Sequence, residues 1–149
     1  MNLFGVMDIS ASALKAERVR AEVVASNMAN AETTRTEDGG PYQRHHVVFE
    51  AQEGSFGASL LSQGSSMVGS DGTPGGVAVS SVLQDGADPL RRYDPTHPDA
   101  GADGYVAYPD INPLTEMVDL MGATRSYGAN ASAIQAEKSM IASSLDLLK

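Results

Sequence analysis

Apolar side chains recur at helical spacing at both ends of the chain and become sparse between them. The N-terminal stretch 3–31 contains no proline and a single glycine, and it is rich in residues that favour helix. Its apolar positions recur every seven residues at Met7, Leu14, Ala21 and Met28, and Val24 and Ala31 lie three positions after the last two. The pattern predicts a helix about 40 Å long at 1.5 Å per residue, with alanines that allow close approach of another helix.

The C-terminal stretch has the clearer helix pattern. Asn112 followed by Pro113 is a start signal, because Asn caps free backbone amides and proline has none to leave unpaired. One apolar row then repeats every seven residues: Leu120, Tyr127, Ile134, Ile141 and Leu148. A weaker second row alternates with it: Met117, Thr124, Ala131, Lys138 and Leu145. The pattern predicts a helix of about 50 Å that ends near the last residue.

These two helices predict a mainly α fold in which the long N- and C-terminal helices pair as a coiled coil. The stronger C-terminal row is expected to pack on Met7, Leu14, Val24 and Met28, either of the same subunit or of an adjacent one. A compact bundle of core helices is the alternative. The length of the helices favours the extended pair.

The middle of the chain, residues 33–108, is composed for loops and short strands. It holds 12 of the 15 glycines and all three histidines. Strands are predicted at 46–49 and 77–83, which makes a small β-hairpin or loop insertion, and the Gly/Ser-rich segment 53–76 is predicted to be mobile. We therefore expect an axial helix over 1–32, the insertion over 33–108 and a second axial helix over 109–149.

The composition excludes several classes of protein. The formal net charge of −9 argues against binding nucleic acid, which requires clustered Lys and Arg. Absence of cysteine removes disulfides, thiolate catalysis and cysteine-ligated zinc. No window is apolar enough to predict a membrane span, and the first ten residues lack the basic run of a secretory signal peptide.

Three groups of residues are candidates for a catalytic or metal-binding site. Ser12 and Lys15 match the S-x-x-K signature of penicillin-binding proteins, but the accompanying S-D-N and K-T-G elements are missing. The adjacent His45 and His46 would point to opposite faces of a strand. A third group, Asp94, His97 and Asp99, is interrupted by two prolines and favours a surface turn over a metal site. We expect no enzyme, no cofactor, no metal and no small-molecule substrate, with a small hydrolase using Ser12 as the alternative.

Several segments together resemble the bacterial flagellar rod and hook family. The most specific is ASNMANA at 25–31, within the N-terminal stretch 9–35, and GGPYQRHHVVFEA at 39–51 continues the match. The motifs YDPTHPDA at 93–100 and GYVAYPDIN at 104–112 are similar to those of a proximal-rod member. The stretch 116–141 completes the match, with Tyr127 and Asn130 at the family's Y-x-x-N positions.

The resemblance implies a structural subunit of the flagellar basal body, in the rod that crosses the periplasm and transmits motor torque to the hook. It implies export through the flagellar type III apparatus without a cleaved signal peptide. The implied partners are other rod proteins, the hook–basal-body adaptor, and copies or paralogues in a helical assembly. Asn27 and Asn30 are expected to hydrogen-bond backbone where the first helix ends. A cytoplasmic coiled-coil adaptor or chaperone is the other reading.

Overall fold

A computed structural model describes residues 3–37, 39–52 and 75–147. Along the chain, four short strands lie between two long helices. The elements are α1 (Leu3–Ala29), β1 (His45–Ala51), β2 (Val77–Gln84), β3 (Leu90–Tyr93), β4 (Tyr105–Tyr108) and α2 (Pro113–Asp146). Most of the Gly/Ser-rich segment, 53–74, lies outside the described residues, as does Leu148.

The two helices pack against each other. Asn27, near the end of α1, bonds Glu116 in the first turn of α2, and Arg20 reaches Asp119 one turn further on. Advancing along α2 therefore means going back along α1, so the pair is antiparallel. The mainly α architecture with a β insertion agrees with the prediction, and the coiled-coil form of the pairing stays a prediction.

The start of α2 follows the sequence signal. Asn112 has extended backbone and its side-chain oxygen accepts a hydrogen bond of 3.0 Å from the backbone amide of Leu114. Pro113 occupies the first helical position, where a missing amide leaves no bond unmade. The helix runs 34 residues, about 51 Å, and ends at Asp146.

Replacing Asn112 with alanine is expected to cost about 1 kcal/mol of folding stability, because the amide of Leu114 loses its acceptor. Urea unfolding followed by circular dichroism measures the change. Asn112→Asp is the matched control, since its carboxylate accepts the same bond and should restore nearly all of the stability. Equal stability of the alanine and aspartate variants would contradict the capping role.

The predicted strands pair as expected, with limits slightly wider than the sequence indicated. β1 and β2 are antiparallel, running from His45 opposite Gln84 to Ala51 opposite Val77, with a bulge between Val48 and Phe49. Both strands of this sheet contact α1, and at the start of β2 the amide of Val77 donates to the hydroxyl of Ser12. Gly76 precedes this bond with φ +126, and a Cβ there would lie 3.0 Å from the Ser12 hydroxyl. Only glycine combines that backbone with that approach.

A second two-stranded sheet corrects the prediction of a single hairpin. β3 and β4 pair antiparallel from Leu90 opposite Tyr108 to Tyr93 opposite Tyr105. The four residues of β3, LRRY, are all exposed, so the strand carries no apolar alternation for sequence reasoning to detect. Only Val106 of β4 is fully buried.

The loop between β3 and β4 is fixed by side chains. The carboxylate of Asp94 accepts from the hydroxyl of Thr96 at 2.7 Å and from its amide at 3.2 Å. These two bonds lower the pKa of Asp94 below its ordinary value, because they favour the ionised form. Gly104 adopts φ +75 against the ring of Tyr93, where any Cβ would clash.

The buried core of the described residues is small. Its apolar members are Ala16, Val24, Val106, Ile111 and Ala123. Four polar or charged residues are equally buried: Ser10, Asn27, Glu116 and Glu137. Neither of the two described helices has the length and apolar content needed to cross a membrane. With so little apolar core, interactions among polar groups carry much of the packing inside the chain.

Candidate assembly site

A buried polar cluster joins the end of α1, the start of β1 and the start of α2. We name it the junction cluster; its members are Asn27, Tyr42, Arg44, His45 and Glu116. Asn27 is central, because its amide nitrogen donates to the carbonyl of His45 at 2.7 Å and its oxygen accepts from the His45 amide at 3.0 Å. The side chain thus pairs with both backbone groups of one strand residue, as a neighbouring strand would. It fixes β1 to α1.

Glu116 provides the negative charge of the junction cluster. It is only 1% exposed, its Oε1 accepts a hydrogen bond of 2.7 Å from Nε of Arg44, and a terminal nitrogen of Arg44 lies 2.7 Å from the same oxygen. Its Oε2 accepts from the Asn27 amide at 3.1 Å. Both carboxylate oxygens are therefore satisfied, which a buried charge requires. Through Glu116, the segment entering β1 is tied to α2 as well as to α1.

Tyr42 completes the cluster on its outer side. Its hydroxyl donates to the oxygen of Asn27 at 3.2 Å and lies 2.8 Å from Nδ1 of His45, and the two rings are 5.2 Å apart. Asn30, by contrast, closes the helix end locally: its amide donates to the carbonyl of Ser26 at 2.9 Å. In the middle of α2, the amide of Asn130 likewise donates to a carbonyl one turn earlier, that of Ser126.

The predicted apolar seam is only partly reproduced within the chain. Val24 is buried, and six further members are half-buried: Met7, Leu14, Met28, Leu120, Ile134 and Ile141. Tyr127 belongs to the same seven-residue row as Leu120 and Ile134 but is 45% exposed, so this position of the seam is not buried within one chain. Leu148 lies outside the described residues.

The weaker second row on α2 is wrong for packing within the chain. Four of its members are exposed and Ala131 is half-buried; the exposed ones are Met117, Thr124, Lys138 and Leu145. The inward row is instead one residue earlier in each heptad: Glu116, Ala123, Asn130 and Glu137. Hydropathy selects the wrong row because the inward positions are short or hydrogen-bonded rather than apolar. Glu137 fits neither description: it is a long, buried acid whose Oε2 has no hydrogen-bond partner in the described part of the chain.

The side of α2 that faces away from α1 carries the apolar side chains instead. We name this set the outer α2 stripe; it consists of Leu114, Met117, Val118 and Met121, which are between 50% and 70% exposed. The spacing of i, i+3, i+4 and i+7 places all four on one helical face. Such a set is the usual anchor pattern of a helix that binds another helix.

Two protein-family models match this chain, one at each end. The family model described as "Flagella basal body rod protein" matches residues 7–35, and "Flagellar basal body rod FlgEFG protein C-terminal" matches 102–147. A curated relative from Bacillus subtilis (strain 168), "Flagellar basal-body rod protein FlgC", is 45% identical over the whole of both chains. The chain belongs to the FlgC family of flagellar basal-body rod proteins.

Two more FlgC relatives extend across distant organisms. The protein of the same name from Borreliella burgdorferi is 36% identical, covering the whole of this chain and 99% of the relative. That from Salmonella typhimurium is 37% identical, covering 99% of this chain and 98% of the relative. The resemblance read from the sequence is thereby confirmed. Asn27 lies in the first region matched by a FlgC-related family model and Glu116 in the second, so the junction cluster connects the two.

Ser12, the candidate nucleophile, has structural partners in this FlgC-family chain. The hydroxyl of Ser12 donates to the carbonyl of Ile9 at 2.7 Å and accepts from the amide of Val77 at 3.1 Å. Lys15, about one turn further along α1, is exposed. A serine held between two backbone groups binds β2 to α1. No hydrogen bond that would activate it as a nucleophile is present among the described contacts.

His97 and the rest of the turn 94–99 are equally engaged, whereas His46 is exposed. Asp94 bonds Thr96, and Asp99 accepts from the hydroxyl of Thr34 at 2.7 Å. Nδ1 of His97 accepts from the backbone amide of Asp99. Among the described residues there is no group of three or more acidic, His or Cys side chains that could hold a metal ion.

Ser12→Ala is expected to lower folding stability by about 1 kcal/mol, because the Val77 amide loses its acceptor, and to leave swimming unchanged. Ser132→Ala is the control, since the exposed Ser132 hydroxyl bonds only its own helix and its loss should be near neutral. Urea unfolding and soft-agar motility measure the two effects. A variant of full stability that cannot swim would point to chemistry at Ser12.

Proposed function

We propose that the chain is a structural subunit of the proximal flagellar rod, where it polymerises helically with other rod proteins. Its membership in the FlgC family supports this role. The observation that carries the proposal to assembly is the outer α2 stripe, because an uncharged row of four large side chains is left in water by the lone chain. Neighbouring subunits would cover it and supply the apolar contacts that the small core lacks.

The proposed mechanical role is transmission of motor torque across the periplasm to the hook. Two features of the chain suit a shaft component. The paired helices supply length, and the junction cluster ties the insertion to both of them through hydrogen bonds and a buried ion pair. A load applied to the insertion would therefore pass to both α1 and α2 through the junction cluster, which a flexible linker would not achieve.

The proposed route to the rod is export through the flagellar type III apparatus without a cleaved signal peptide. A chain without cysteine cannot be crosslinked by disulfides during export, and a modest apolar core lowers the work of unfolding it. Other rod proteins, the hook–basal-body adaptor and further copies of the chain are the proposed partners. The three segments 1–32, 33–108 and 109–149 would act as axial helix, insertion and axial helix.

The test is purification of basal bodies from cells that carry an epitope-tagged chain in place of the native one. The proposal expects the tag in the rod fraction, loss of swimming on deletion, and retention of the chain in the cytoplasm when type III export is blocked. Ile134→Asp is expected to abolish swimming with expression intact, and the exposed Ser132→Asp should swim normally. A chain found only in the cytoplasm of swimming cells would instead indicate an adaptor or chaperone.

A further inference from the structure

The hydrogen bond between His97 and Asp99 exists in only one protonation state of the histidine. The backbone amide of Asp99 donates to Nδ1 of His97 at 3.1 Å. An amide nitrogen can only donate, so Nδ1 must present its lone pair, and the ring proton of the neutral histidine lies on Nε2. A proton on Nδ1 would make both partners donors. Protonation of His97 therefore breaks this bond.

Asp99 is the residue that attaches the turn 94–99 to the segment that follows α1. Its Oδ2 accepts from the hydroxyl of Thr34 at 2.7 Å, and its Oδ1 lies 3.7 Å from a terminal nitrogen of Arg35. The bond from the Asp99 amide to the ring of His97 fixes the backbone from which that carboxylate projects. Loss of the bond would free this peptide group and weaken the contact with Thr34.

The groups around His97 offer a protonated ring another partner. On the turn itself, the carboxylate of Asp94 interacts electrostatically with His97. β4 contributes the ring of Tyr108, whose centroid lies 6.2 Å from that of the imidazole, and β3 contributes Arg92, whose guanidinium carbon is 6.0 Å from the Tyr108 ring. The bonds from Thr96 keep the pKa of Asp94 low, so its carboxylate stays ionised in mild acid. A protonated His97 can therefore exchange an amide for a carboxylate.

We propose that protonation of His97 releases the amide of Asp99 and loosens the attachment of the turn 94–99 to Thr34. At neutral pH the ring accepts the amide and holds the turn against the segment after α1. In mild acid the ring donates to a carboxylate instead, and the Asp99 peptide group is free. The attachment of the β3–β4 sheet to the end of α1 thus depends on pH. The contacts lie within one chain, so the inference is independent of the proposed rod function.

Hydrogen exchange of the purified full chain, followed by two-dimensional NMR, tests the proposal at the amide of Asp99. Protection factors are compared at about pH 7.5 and about pH 5.0, on either side of the range in which histidine changes charge. The factor for Asp99 should fall about ten-fold in acid, as expected for the loss of one hydrogen bond. The amide of Asp94 bonds the carbonyl of Gly104 at 3.0 Å and is the internal reference, whose factor should change less than about two-fold.

His97→Asn is the matched variant, because Oδ1 of asparagine can take the place of Nδ1 and accepts the amide without titrating. Its Asp99 protection factor should change less than about two-fold between the two pH values. His46→Asn removes an exposed histidine of β1 and should keep the full decrease at Asp99. Equal protection of Asp99 at both pH values in the native chain, or the same decrease in His97→Asn, would overturn the proposal.

Nitrogen NMR of the native chain gives a second test that needs no variant. Nδ1 of His97 should be unprotonated at about pH 7.5 and protonated at about pH 5.0. The amide signals of Thr34 and Arg35 should move with the same midpoint as that of Asp99, because the three residues share one contact. A proton already on Nδ1 at the higher pH would contradict the assigned bond. Signals of Thr34 and Arg35 that stay fixed while His97 titrates would overturn the coupling to the end of α1.

Discussion

Arg44→Met is expected to destabilise the folded chain by about 3 kcal/mol, because it leaves the carboxylate of Glu116 buried without its counter-charge. Arg44 makes a hydrogen bond from Nε and an ion-pair contact from a terminal nitrogen to one oxygen of Glu116, and methionine keeps most of the side-chain volume but can replace neither contact. Urea unfolding of the purified chain, followed by circular dichroism, measures the loss.

The matched control is Arg91→Met. Arg91 also pairs with an acid, Asp103 at 3.0 Å, but both side chains are largely in water, so the loss should stay below about 1 kcal/mol. The double variant Arg44→Met with Glu116→Gln should recover part of the stability, since the unpaired charge is gone while the bond from Asn27 can be kept. If Arg44→Met and Arg91→Met cost the same, the junction cluster is not the charged centre that joins the helices to β1.

Val118→Asp combined with Met121→Asp is expected to abolish swimming, because two carboxylates would have to be buried where apolar side chains are covered in the rod. The penalty of several kcal/mol for each buried charge far exceeds what one subunit contact can absorb. Soft-agar expansion and electron microscopy of basal bodies measure the outcome.

This variant separates assembly from folding. Val118 and Met121 are exposed in the lone chain, so the purified double variant should unfold within about 0.5 kcal/mol of the native chain. Ser132→Asp with Ser139→Asp is the control, since both exposed serines lie on the same side of α2 but 11 and 18 residues beyond Met121, where small polar side chains replace the stripe, and it should swim. Normal swimming by the Val118 and Met121 variant would show that the stripe stays in water throughout the life of the rod.

Elements with strong local signals could be predicted from the sequence. The helix start at Asn112 and Pro113 has its own short-range chemistry, and the strands β1 and β2 contain β-branched runs between turn residues. Family motifs such as ASNMANA added the identity. These signals need no knowledge of what the rest of the chain does.

The parts that depend on distant partners could not be predicted. Glu116 lies in the first turn of α2, where an acid also suits the helix dipole, so nothing local marks it as buried against Arg44. Choosing seam rows by hydropathy placed Met117 inward, whereas in the structure Met117 is 50% exposed and its neighbour Glu116 is buried. β3 was missed because its exposed LRRY carries no pattern.

The natural methionines offer the most direct test of the central claim, which is that the outer α2 stripe is covered only in the assembled rod. Met117 and Met121 of the outer α2 stripe are half in water in the lone chain, and the sulfur of an exposed methionine is oxidised readily. Brief peroxide treatment followed by mass spectrometry compares the purified chain with intact basal bodies. We predict rapid oxidation of both residues in the chain and strong protection in basal bodies; equal oxidation in the two would contradict the account.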